Sequence, residues 1–276
     1  MNILIVDGNE KDASDKYLDL GMDTQYEVYS KILQRLANFK INITVIHPAI
    51  YKNYIPQGLS LDDFDGIAWT GSLLNIYDLT PSISRQIELA KALMERENII
   101  FGSCWGLQVL VTAAGGKVRK NPRGLEAVIA KNINLNREGK NHQMYFGKSS
   151  KFESFCWHYD EAEFLPENTT ILASNDKCNI QAINFKKNKS NIWAVQYHPE
   201  FNPIWMSGLI NQREKILLDQ GIYKDQEELD SYKIFLSDID KNKDKKNLLG
   251  ISNNLLDEKL HSLELLNWLN ALKNLN

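Results

Sequence analysis

Ile3-Leu4-Ile5-Val6 is an unbroken apolar run closed by the turn signal Asp7-Gly8-Asn9, and it predicts a buried strand. Tyr26, Tyr29, Leu33 and Leu36 then recur at helical spacing. Ile41 to Ile46 is a second β-branched strand, and Ile67-Ala68-Trp69 a third that runs into Thr70-Gly71-Ser72. Pro81 opens a helix with Ile83, Ile87, Ala90 and Met94 on one face. Ile99-Ile100-Phe101 is a fourth strand, Leu107 to Ala114 an apolar helix, and Gly115-Gly116 its stop. Strand and helix alternate four times, which predicts right-handed crossovers and an open, mostly parallel α/β sheet with helices on both faces.

After Gly116 the rhythm changes. Segments near Ala127 to Leu135, Lys151 to Trp157, Thr170 to Ala173, Ile180 to Phe185 and Ile192 to Tyr197 read as strands with short turns. They are expected to extend the sheet, partly antiparallel. Beyond Pro203 the pattern is helical. The tail from Leu255 spaces Leu256, Leu260, Leu263 and Leu266 as one amphipathic stripe, expected to pack on the chain's own domain. The charged run Lys241 to Lys246 reads as a solvated linker.

Composition narrows the function classes. Of 276 residues, 43% are hydrophobic and 24% charged, and the net charge is −3. A nucleic-acid surface would need a basic stripe, so none is expected. No run reaches the roughly 18 apolar residues of a membrane helix. The short apolar start lacks the basic flank of a signal peptide. A cytoplasmic location is therefore expected. Three cysteines, Cys104, Cys156 and Cys178, are too few and too odd for a disulfide framework.

Two short strings carry chemistry. Gly102-Ser103-Cys104-Trp105-Gly106 has the glycine-flanked form of a strand-to-helix elbow. Such a turn lifts Cys104 above the carboxyl edge of the sheet and places its sulfur at a helix N-terminus, which favours thiolate. The amide of Trp105 would face a developing oxyanion. Gln108, four residues on, shares a helix face with Cys104 and is a candidate substrate contact. The string alone also fits a structural cysteine packed in a tight turn. The second string ends a strand: His198-Pro199-Glu200 offers a base and, two residues on, an acceptor to fix its tautomer. A surface His at a strand end fits too. The pair lacks the helical His-Glu-x-x-His spacing, so no metal is expected. Neither is a cofactor: no glycine-rich loop ends in Gly-Lys-Ser/Thr.

Taken together, Gly102 to Gln108 and Gln196-Tyr197-His198-Pro199-Glu200 resemble the triad-type class I glutamine amidotransferases. Thr70-Gly71-Ser72 stands where that family keeps its oxyanion glycine loop. Trp157-His158-Tyr159-Asp160, Leu165-Pro166, Leu172-Ala173 and Gln181-Ala182 are similar to the glutaminase domain of GMP synthase. The resemblance spans roughly Met1 to Pro203. It implies a flavodoxin-like amidotransferase domain over 1–203 and a helical extension over 204–276, packed on it or linked to it. It also implies that Cys104 attacks a γ-amide to form a γ-glutamyl thioester, with His198 shuttling the proton and Glu200 orienting it. Gly71 and Trp105 would hold the oxyanion. Gln108 would help bind substrate. Trp157, His158 and Tyr159 are expected at the substrate pocket, where Trp157 also fits core packing and His158 fits either the pocket wall or a second dyad with Asp160. Arg123, Gly124 and Glu126 are expected either to order a loop by the pocket or to form a solvated turn.

Tyr159 and Thr70-Gly71-Ser72 depart from the GMP synthase pattern, which has a small residue and Gly-Gly-Pro there. No ATP-pyrophosphatase region follows, so GMP synthesis by the chain alone is not expected. Three functions fit. One is release of ammonia from glutamine for a separate synthetase. The second is autonomous hydrolysis or transfer of another γ-glutamyl amide. The third is a non-catalytic regulatory protein on the same fold.

Overall fold

The computed structural model describes residues 1–242 and 245–275, so part of the expected linker, Lys243 and Asp244, lies outside the described residues. The strands are β1 (Asn2–Val6), β2 (Asn42–Ile46), β3 (Gly66–Trp69), β4 (Ile99–Ser103), β5 (Lys117–Lys120), β6 (Glu126–Leu135), β7 (Lys151–His158), β8 (Asp160–Phe164), β9 (Thr170–Ser174), β10 (Ala182–Lys187) and β11 (Ser190–Val195). The helices are α1 (Lys11–Asp19), α2 (Gln25–Leu36), α3 (Pro81–Met94), α4 (Trp105–Ala113), α5 (Arg137–Asn141), α6 (Pro203–Asp219), α7 (Gln226–Ser237), α8 (Lys245–Leu248), α9 (Asn253–Leu256), α10 (Glu258–His261) and α11 (Leu263–Lys273).

Nine strands form one open sheet in the order β2-β1-β3-β4-β11-β10-β9-β6-β7, and β5 pairs with β8 apart from it. From β2 to β11 every pairing is parallel; from β11 to β7 every pairing is antiparallel. This is the α/β sheet with helices on both faces that the sequence predicts. The period-two rule explains how β1 serves both faces. Leu4 and Val6 join one core with α3 and α4, while Ile3 and Ile5 join the other with α2 and α11. A third core lies under α6 and α7, where Trp205, Met206, Leu229 and Phe235 meet Val128, Phe155 and Trp157.

The tail corrects one expectation. It is three short helices, not one stripe. Asp257 breaks the chain with extended geometry and caps α10, its Oδ1 accepting from the amides of Lys259 and Leu260. Each break re-aims the face, so the buried set on α11 is Leu265, Trp268, Leu269 and Leu272, while Leu260 is exposed. Gly66 lets α11 approach β3: a Cβ there would collide with Leu272 and Trp268. The Trp268 indole donates to the Ile99 carbonyl at 3.0 Å.

What positions the site is the β4–β11 pair. Ser103 lies opposite Val195 in parallel register, so both strands end at the same carboxyl edge. Open α/β sheets bind ligands at that edge. The next residues on the two strands are Cys104 and Gln196, with His198 two further on.

Candidate active site

Cys104 sits between β4 and α4 with φ 51° and ψ −100°, a left-handed backbone that side chains rarely adopt. Glycines make the elbow feasible. A Cβ on Gly102 would meet the backbone of Gly106, and one on Gly106 would meet Trp69. The Cys104 amide donates to the Val195 carbonyl at 2.8 Å, tying the elbow to β11. Its thiol donates to the Trp157 carbonyl at 3.6 Å. Burial pushes the thiol pKa well up, and the negative charge of Glu200 adds to that. The backbone amide of Trp105 and the side chain of Gln196 pull the other way without prevailing. Burial thus favours the thiol over the thiolate at this elbow.

His198 and Glu200 follow β11 and are both buried. His198 Nδ1 donates to Glu200 Oε1 at 2.7 Å. Glu200 Oε2 accepts from Ser103 Oγ at 3.0 Å, and Ser103 Oγ shares a 2.5 Å hydrogen bond with the Tyr29 hydroxyl. The residue before Cys104 therefore anchors the carboxylate. The His198 ring stacks on Phe201 at 3.9 Å and 8°, and Phe201 stacks on Trp205 at 4.0 Å. Gly71 closes over the imidazole: an added Cβ would lie 2.6 Å from His198 Cε1. Its carbonyl is held by Thr70 Oγ1 at 2.8 Å and Asn9 Nδ2 at 3.2 Å.

A cavity of about 170 Å³ opens on Cys104, with walls that include Ser72, Gln108, Trp157, Tyr159, Asp160 and Arg213. His198 faces an adjoining hollow, and Ser72, Leu73 and Trp157 border both. Gln108 and Tyr159 thus reach the space where sequence reasoning puts them. Trp105 contributes backbone only, for its indole points into the core and donates to Gln86 Oε1 at 2.8 Å. His158 lines the cavity too, yet both its nitrogens are engaged. Nδ1 donates to the Asp160 carbonyl at 3.0 Å and Nε2 to Glu126 Oε2 at 2.9 Å. Burial opposes the charge on Glu126, but the hydrogen bond and charge of His158, with Asn175 and Gln181, hold its pKa below the usual value. Held at both ring nitrogens, the imidazole braces the pocket wall. Glu126 is therefore the member of the Arg123–Glu126 loop that reaches the site; Arg123 binds Asn179 at 3.1 Å.

Asp160 and Arg213 give the cavity one charge of each sign. Burial raises the pKa of Asp160, whose Oδ1 accepts from the Tyr77 hydroxyl at 3.2 Å. Arg213 lies where α6 leaves helical geometry (φ −121°, ψ 18°), with its guanidinium 5.9 Å from the Trp157 ring centroid. Sequence reasoning misses Arg213 because one cation in the mixed-charge run Gln212-Arg213-Glu214-Lys215 carries no signal. It misses Ser103 although a polar residue closing an apolar strand is a readable clue. Among the described residues no cluster of three or more His, Cys, Asp or Glu is placed to hold a metal ion. No helix there is long and apolar enough to cross a membrane.

The family model "Glutamine amidotransferase class-I" matches residues 21–207. The chain belongs to the class I glutamine amidotransferases. A "Gamma-glutamyl-L-1-hydroxyisopropylamide hydrolase" of Pseudomonas sp. is 31% identical over 99% of this chain and 93% of that protein. A glutamine-hydrolyzing GMP synthase subunit of Methanosphaera stadtmanae is 30% identical over 59% of this chain and 82% of that one. A glutamine amidotransferase crystal structure from Thermotoga maritima superposes with a TM-score of 0.64 at 14% identity, covering 98% of each chain, a likeness of fold. Membership in this amidotransferase family, with relatives named for γ-glutamyl amide hydrolysis, supports an amide-hydrolysing enzyme.

Proposed function

We propose that this amidotransferase homologue is a free-standing hydrolase of a γ-glutamyl amide, acting through a γ-glutamyl thioester on Cys104. The carrying observation is the extent of the likeness to the Pseudomonas hydrolase, which includes the helices beyond residue 207 that the family model leaves unmatched. In this reading residues 1–203 carry the reacting groups. The extension over 204–276 adds Arg213 to the cavity and supports the base from behind.

The geometry supports a definite course. A thiol kept neutral by burial is activated only as its proton leaves for His198, whose Nδ1–H is held by Glu200. The sulfur then bonds to the γ-carbonyl carbon. The amides of Trp105 and Gly71 are the proposed donors to the oxyanion. When the C–N bond breaks, His198 returns the proton to the departing amine. Water, deprotonated by His198, next attacks the thioester, freeing glutamate and restoring the thiol. Arg213 matches the α-carboxylate of the glutamyl group, and Asp160 its α-ammonium. Gln108, Trp157 and Tyr159 border the remainder, where the amine leaves.

Turnover of a panel of γ-glutamyl amides, including γ-glutamyl-isopropylamide and glutamine, tests this through released amine and glutamate. An alkylamide preferred over glutamine is expected, with no turnover by Cys104→Ala. Equal rates across the panel, or an active Cys104→Ala, would overturn it. A second reading, ammonia release from glutamine for a partner synthetase, is favoured by the likeness to the Methanosphaera GMP synthase component. It requires glutamine to be the preferred substrate.

A further inference from the structure

The His198–Glu200 segment is not part of a strand, so something else must fix its backbone. On the side of the sheet ladder, the His198 amide donates to the Phe155 carbonyl at 2.8 Å. On the other side lies the C-terminal tail. His261 Nε2 donates to the His198 carbonyl at 3.1 Å. Ser262 Oγ donates to the Pro199 carbonyl at 2.7 Å. The Tyr197 hydroxyl donates to Glu264 Oε1 at 2.7 Å. Residues 197, 198 and 199 are thus each held by one residue of the tail, and all three tail residues are buried.

The tail residues are themselves tied together. Lys148 Nζ donates to Glu264 Oε2 at 2.6 Å and to the His261 carbonyl at 2.8 Å. Asn267 donates to the carbonyls of Met144 (3.0 Å) and Phe146 (2.9 Å), pinning the turn that presents Lys148. The His261 ring rests against Phe155 at 5.1 Å, so the two groups that hold the His198 backbone also touch each other. None of these contacts reaches the cavity. The tail residues that make them lie outside the stretch matched by the family model.

We infer that His261 and Ser262 are positioning residues for the base: through the carbonyls of His198 and Pro199 they set where the His198 imidazole meets Cys104 and Glu200. This rests on reading Cys104, His198 and Glu200 as the reacting groups. A displaced base costs rate with little effect on substrate binding, since misplacement by about 1 Å can cost on the order of a hundredfold.

The test uses the full chain carrying Ser262→Ala, Ser262→Thr, His261→Phe or His261→Gln. Two readouts are kept: kcat and KM on the preferred γ-glutamyl amide, and the pH profile of Cys104 alkylation by iodoacetamide, which needs no substrate. Ser262→Ala and His261→Phe are expected to lower kcat about tenfold or more, with KM within about twofold, and to shift the alkylation profile. Ser262→Thr and His261→Gln restore a donor and should recover most of the rate. If His261→Phe does not fold, Ser262→Ala, the loss of a single hydroxyl, decides alone. Folded Ser262→Ala with wild-type kcat and an unchanged alkylation profile would overturn the inference. If His198→Ala leaves Cys104 alkylation unchanged, the triad reading fails first, and that outcome is distinct.

Discussion

At the scale of single residues, the proposed nucleophile and base are legible because each needs an unusual local setting. Glycines around Cys104 and the His-x-Glu string after an apolar strand are such settings. The charge state of the thiol is not legible, since it depends on burial and on Glu200, which is distant in sequence but adjacent in space. Nor is Arg213, which acquires meaning only when α6 folds over Trp157. If Arg213 reads the α-carboxylate of the glutamyl group, Arg213→Gln should raise KM about tenfold or more, with kcat changed far less, because the contact is made equally in ground and transition states. Steady-state kinetics on the preferred amide would reveal this, and an unchanged KM would remove Arg213 from the site.

Among the elements, the parallel half of the sheet is readable strand by strand, because buried parallel strands are continuous apolar runs. Helix α1 escapes notice: its sequence Lys-Asp-Ala-Ser-Asp-Lys-Tyr-Leu-Asp is almost wholly polar, and it buries only Ser14 and Tyr17. The strands β5 and β8 are hidden for a related reason, as charged residues such as Arg119, Glu161 and Glu163 pair across them. The tail stripe fails because the spacing of Leu256 to Leu266 implies one helix, whereas capping at Asp257 interrupts it. The close approach of α11 to β3 gives a sharp expectation. Gly66→Ala forces a methyl into Leu272 and Trp268. It should cost about 1–3 kcal/mol of stability, measured as a lowered denaturant midpoint, while Cys104 chemistry in the folded fraction persists.

The whole molecule joins the sheet edge that carries Cys104 to the C-terminal tail, and acid should lower its stability. Burial, reinforced by the charge of Lys148, pushes the pKa of His261 down from 6.5 to about 3. Lys148, Glu264 and His198 are the ionisable groups around it. The unfolded chain therefore takes up a proton here before the folded one does. Stability from this group is complete above pH 6.5 and is lost progressively as pH falls towards 3. Urea midpoints between these limits should fall more steeply for wild type than for His261→Gln; parallel slopes would count against it.

Glu200 gives one oxygen to Ser103 and the other to His198. Two neighbouring strands are therefore matched in length by a single carboxylate. Inserting one residue into β11 would flip every side chain beyond it to the opposite face, and the carboxylate could no longer serve both partners. The middle of this sheet therefore has to keep count.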